Sequence, residues 1–197
     1  MDLLLSKSNR AGGNSGKWVS ASNPKLTDAI SKAGGSMGDK IKELFKKHDN
    51  ECASISNAMS AKYRAEHDKL KTKYIPNGIW GEGADYKGYR KAVAKLESAI
   101  EEETDYLCRN ALGGGIGNLE DIYDALYRGK LRDSGGVMYG HGGKYYSSKD
   151  QRAHEILANY GTLSVAHPEL LGMLVEDKPE LVEALREVVK EMLAEVK

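Results

Sequence analysis

A chain of 197 residues with 40% hydrophobic content has enough apolar material for one domain with a true core, which excludes wholesale disorder. With 29 basic residues against 29 acidic ones, it lacks the excess of Lys and Arg that broad nucleic-acid or anionic-membrane binding needs, although the balance leaves room for a local basic patch. No apolar run approaches the ~20 residues that span a bilayer, and Leu3-Leu4-Leu5 is too short for a signal-peptide core, so the chain is expected to stay in the cytoplasm of its host cell.

In chain order, Met1 to Ser22 starts apolar and then runs through Gly12-Gly13-Asn14-Ser15-Gly16, which reads as the end of an element. Asn23-Pro24 is a helix start: Asn caps free N–H groups and Pro suits the first turn. That helix should stop near Gly34-Gly35. A longer, heavily charged helix follows from about Gly38 to Lys73, with Ile41, Leu44, Phe45, Cys52, Ile55 and Met59 at helical spacing. Tyr74 to Tyr86 reads as a loop in which Trp80 is expected to pack back onto the protein. A further helix runs to about Leu112, its Glu101-Glu102-Glu103 triplet on a solvated face. The two cysteines, Cys52 and Cys108, fall on these helices without CxxC spacing and read as buried free thiols.

Gly113-Gly114-Gly115-Ile116-Gly117 follows a helix and lacks a Lys-Ser/Thr, so it is not a phosphate loop. Asn118 is placed to cap a short helix through Tyr127. Val137 to Tyr146 has the aromatic and β-branched character of a hairpin, with Gly140-His141-Gly142 near its turn. Ser148 and Gln151 form a capping box for a helix from Lys149 to about Val165. Pro168 opens another short helix, and Asp177-Lys178-Pro179-Glu180 reads as a second capping box. In the last helix Leu181, Leu185, Val188, Met192 and Val196 line one face. The expected fold is mostly α (α+β), a helical domain with one small β-hairpin.

No complete catalytic site is spelled out. A common zinc peptidase uses H-E-x-x-H on a helix, where one turn brings both imidazoles to the metal and the Glu acts as general base. Here His154-Glu155 is followed by Ile156-Leu157-Ala158, and no second histidine comes one turn later. There is no G-x-S-x-G either. The sharpest candidates for chemistry are His141 and Glu155.

Three stretches, Asn118-Leu119-Glu120-Asp121-Ile122-Tyr123-Asp124-Ala125-Leu126, Tyr139-Gly140-His141-Gly142-Gly143-Lys144-Tyr145-Tyr146 and Glu155-Ile156-Leu157-Ala158-Asn159-Tyr160, together resemble the C-terminal extension of minor head (head morphogenesis) proteins of tailed phages and prophages. Those extensions are zincin-like, and the resemblance covers most of the chain, strongest from Asn118 to Val196. It implies that residues 1–22 follow a metal-binding helix, that 23–112 are a helical insert, and that 113–197 form the zincin-like C-terminal part, packed as one compact domain. It implies Glu155 as the third metal ligand, His141 and Tyr145 as cleft residues, and Tyr146 as a further cleft wall. The family's H-E-x-x-H helix is not in this sequence, so two of three metal ligands and the general base are missing from it.

The resemblance therefore implies a non-catalytic phage or prophage protein that acts by binding a phage structural protein or a host protein, such as a defence system, in the cytoplasm or on the virion. No cofactor is expected unless the missing ligands are supplied, in which case the metal is zinc. The alternative is a metallopeptidase completed by another segment or chain, or one using His141, His154 and Glu155. Adjacent His154 and Glu155 point about 100° apart on a helix, which disfavours both ligating one ion. A purely helical interaction module is the third reading. Its discriminator is structural: if the Tyr139–Tyr146 segment does not pack near the Glu155 helix, the zincin-like reading loses its basis.

Overall fold

The computed structural model describes residues 23–194. The expectations for residues 1–22 and for Val196 lie outside them. The chain divides into two compact units, one made of residues 23–47 and 114–194, the other of His48–Gly113. The boundary expected after residue 112 thus falls after 113. Residues 23–47, expected in the insert, belong with the C-terminal unit, because Leu26, Ile30, Ile41 and Phe45 are part of its core.

In the first unit, helix α1 (Pro24–Ala33) starts as its sequence dictates: Asn23 Oδ1 accepts the Leu26 amide at 3.0 Å, and Pro occupies the first turn. Helix α2 (Asp39–Tyr74) begins here and continues through the second unit. After the second unit come α4 (Ile116–Leu126), the single turns α5 (Lys130–Asp133) and α6 (Gly142–Tyr145), α7 (Lys149–Ala166), α8 (Pro168–Asp177) and α9 (Pro179–Ala194). Helix α4 packs most extensively on α7, and α1 packs on α9. Tyr123, Ile122 and Leu119 of α4, Ile156 and Leu163 of α7, and Leu181, Leu185 and Val188 of α9 are almost wholly buried. Each such aliphatic side chain contributes about 1.5–3 kcal/mol by leaving water. Phe45 meets Tyr123 edge to face at 5.7 Å.

The second unit holds the rest of α2, the loop to α3 (Tyr86–Asn110) and a 3₁₀ turn at Ala111–Gly113. Asp85 caps α3 through the Gly88 amide at 2.8 Å. Cys52 and Cys108 are buried free thiols, as expected, and His48 Nε2 lies 3.1 Å from the Cys108 carbonyl. His67 is held by Tyr89 at 2.7 Å. Trp80 does not pack back: it is 98% exposed.

Several sequence expectations are corrected. No strand occurs among the described residues, so the expected hairpin at Val137–Tyr146 is absent. Gly140 and Gly142 take positive φ there, and the amides a ladder would use go to carboxylates of α4. Asn118 does not cap α4. Left-handed Gly115 precedes that helix, and Asn118 instead donates to Asn159 Oδ1 at 2.7 Å. Ser148 caps α7 through the Asp150 amide at 3.2 Å, while Gln151 turns to Tyr145 in place of closing a box. Asp177 ends α8 and takes the Tyr123 hydroxyl rather than capping α9, and Lys178 donates to the Ser36 carbonyl. No helix among the described residues is long and apolar enough to cross a membrane.

Candidate functional site

Helix α4 is mostly apolar, yet it carries Glu120, Asp121 and Asp124, all buried. Buried carboxylates demand partners, and these three find them in the segment that follows. Glu120 Oε2 accepts the amides of Met138 at 3.1 Å and Tyr139 at 2.7 Å. Asp124 accepts Arg132 N through Oδ1 at 2.9 Å and Gly142 N through Oδ2 at 3.2 Å. Arg132 closes the segment from the other side by donating to the Met138 carbonyl. The Gly140-His141-Gly142 loop is thus held by side chains of a helix in the manner of a clamp. Gly140 has φ of +145°, and a Cβ there would come within 2.6 Å of Asp124 Oδ2, so glycine is required.

The third carboxylate, Asp121, sits beneath His141. It accepts the Tyr146 hydroxyl, and its Oδ2 takes the Asn159 amide at 2.8 Å. His141 Nε2 lies 3.7 Å from the same oxygen. The imidazole stacks on Tyr145 at 4.1 Å between ring centres and meets Tyr146 edge to face at 5.9 Å. Tyr145 donates its hydroxyl to Glu155, one turn before Asn159 on α7. One potential ligand atom from each of Asp121, His141 and Glu155 lies within 4.8 Å of the others.

The electrostatics follow from burial. Burial pushes the Asp121 carboxyl above the ordinary carboxylate range. Tyr146, His141 and Asn159 oppose that, and Glu155 adds to it. Tyr145 and Tyr146 are both raised, first by burial and then by the carboxylates they bond, so both remain protonated donors at neutral pH.

The sequence-selected residues His141, Tyr145 and Glu155 meet in one place, with Tyr146 beside them. His154 is not part of the group, in keeping with its different direction on α7. Sequence reasoning missed Asp121 and Asn159 as members of the cluster, and Glu120 and Asp124 as its scaffold. The available signal was three acids on an otherwise apolar helix, where a solvated face would have needed polar neighbours.

Chemically, the arrangement offers a half-exposed imidazole over a buried carboxylate, a second carboxylate beside it, and two phenol donors. Its oxygen and nitrogen donors suit a first-row divalent ion such as zinc, which takes three protein ligands in its working sites. No family model, curated protein or solved structure matches the chain.

Proposed function

We propose that this chain is a zincin-like protein of the phage and prophage head-morphogenesis kind, and that it acts by binding another protein and not by cutting it. It would serve as a head-assembly or virion component, or as an inhibitor of a host protein such as a defence system. One observation carries the reading. The Tyr139–Tyr146 segment packs against α7, so that His141 stacks on Tyr145 and Tyr145 bonds Glu155. The carboxylates are already bound by Tyr145, Tyr146 and Asn159 within the chain. Such a satisfied network supports a rigid recognition surface.

The test is metal content together with proteolysis. The purified chain, given excess zinc, is expected to hold no stoichiometric zinc through Glu155 and to leave unfolded casein intact. Mass spectrometry of purified virions checks the structural role. One zinc per chain, lost in Glu155→Ala along with zinc-dependent cleavage, would overturn the reading.

A second reading has a specific observation in its favour. The convergence of Asp121, His141 and Glu155 fits a metallopeptidase cleft completed by a further segment or a partner chain, with Glu155 as a ligand. The ion would supply an activated water or a polarised carbonyl there. Within this chain, Tyr145 would position Glu155 and Asn159 would hold Asp121 in place.

A further inference from the structure

A cavity of about 240 Å³ lies elsewhere in the same unit, between the end of α1 and the turn that follows α4. Ser31 and Gly34 contribute from the first side, Tyr127, Arg128 and Lys130 from the second, and Arg152 from α7. Arg152 is only 8% exposed, and its Nε is buried without a hydrogen-bond partner among the described residues. Arginine stays charged in proteins, so a buried Nε–H without a partner is a cost that the fold retains. Arg128 and Lys130 are exposed and add two more positive charges along the lining. Arg128 holds φ of +60°, a left-handed conformation that is unfavourable for a non-glycine residue. The helix end would be better served by glycine there, yet the position carries a guanidinium.

We propose that this cavity binds a small phosphate-class oxyanion, inorganic phosphate or the phosphate group of a small ester, with Arg152 as the buried fork and Arg128 and Lys130 as the outer charges. The guanidinium fork matches two oxygens of a tetrahedral anion, and the second oxygen pair faces Arg128 and Lys130. Three cations suit a dianion better than a single carboxylate. The volume is below the roughly 300–1,000 Å³ of pockets for drug-sized ligands, so the ligand is small. The local basic patch that a neutral chain still allows is found here. The proposal does not depend on the cluster around His141.

The experiment is calorimetric titration and thermal melting of the full chain with inorganic phosphate, against acetate and chloride at equal ionic strength, with a simple phosphate monoester as a further arm. Phosphate is expected to bind one per chain and raise the melting temperature, while acetate and chloride do neither. Arg152→Met keeps the volume and removes the charge. It should melt at the parent temperature or higher without anion, and lose at least tenfold in phosphate affinity. Arg128→Ala and Lys130→Ala, both at exposed positions, should each weaken binding several-fold with little change in the unliganded melting temperature. A tighter monoester than inorganic phosphate identifies an ester as the natural source, and the reverse order identifies the free anion. Three results would overturn the proposal. The first is no response to phosphate, and the second is an equal response to acetate or chloride. The third is an Arg152→Met protein that is less stable yet binds phosphate as the parent does, which would make Arg152 a structural cation for the carbonyl ends of α1 and α4.

Discussion

The Asn159 side-chain amide donates to Asp121 Oδ2 at 2.8 Å, tying α7 to α4 at the base of the His141 cluster. Its carbonyl oxygen meanwhile accepts Asn118 at 2.7 Å, so one amide is used at both ends. Asn159→Leu removes both bonds, together with the 3.0 Å bond from the same amide to the Glu155 carbonyl, and leaves the buried Asp121 carboxylate with Tyr146 as its remaining neutral donor. We expect a loss of about 1–3 kcal/mol, the cost of under-satisfying a buried polar group. Urea denaturation followed by circular dichroism measures it, and a loss below the resolution of that method would show the network to be dispensable.

Asp124 acts on the loop rather than on the cluster. Asp124→Ala strips acceptors from the Arg132 and Gly142 amides. Hydrogen exchange at those two amides should accelerate well beyond that of the α4 core, and the Tyr145 ring should lose its fixed stacking on His141, visible by NMR. Unchanged protection at both amides would count against the clamp.

Asp121 makes stability depend on pH in a stated direction. Burial raises its pKa in the folded chain, so between the ordinary carboxylate value and the raised one the folded chain holds a proton that the unfolded chain has released. The unfolded state then binds fewer protons, and this group's contribution to stability falls as pH climbs through that interval. Asp121→Asn has no such titration. Comparing urea midpoints between about pH 4 and 7, the substituted chain should show the flatter profile; parallel profiles would contradict the assignment.

Gly129 takes φ of +79°, and a Cβ there would overlap the Gly142–Gly143 peptide. Backbone cannot give way as a flexible side chain does. Gly129→Ala should therefore cost more than about 2 kcal/mol, combining the left-handed conformation with the overlap. It should also displace His141, which a melting curve and the histidine NMR resonances would register together. Gly135→Ala is the control, since its φ of +73° is similar but a Cβ there meets nothing within 4 Å.

The helices were legible because their signals are local. Asn23-Pro24 starts α1, and the apolar spacing of Leu181, Leu185, Val188 and Met192 gives the buried face of α9. What was not legible depended on distant partners. Val137 to Tyr146 has strand-like residues, but its amides are claimed by Glu120 and Asp124, many residues earlier. Asn118 and Asp177 look like caps by local chemistry, and each is drawn away by a partner on another helix, Asn159 and Tyr123. At the site, His141, Tyr145 and Glu155 were selected from the sequence. Asp121 escaped notice because a carboxylate beneath an imidazole is visible only once α4 and α7 are packed. Arg152 escaped for the same reason, since a lone arginine on a helix gives no sign of burial.

The first unit is written in two stretches, with the whole of His48–Gly113 between them. During synthesis Leu26, Ile30, Ile41 and Phe45 leave the ribosome long before α4, α7 and α9, the helices that will cover them. Those side chains must wait, apolar and unprotected, through the making of the entire second unit, which is a window for aggregation or chaperone capture. The folded chain also shows how to shorten the wait. Asn23 at the start of α1 bonds Glu191 near the end of α9 at 2.9 Å, and Lys25 pairs with Glu187 one turn earlier on the same seam. A circularly permuted gene, opened in the Trp80 loop, would deliver α1 and the start of α2 after α9, with residues 195–197 and 1–22 between them, and let the first unit close from consecutive sequence.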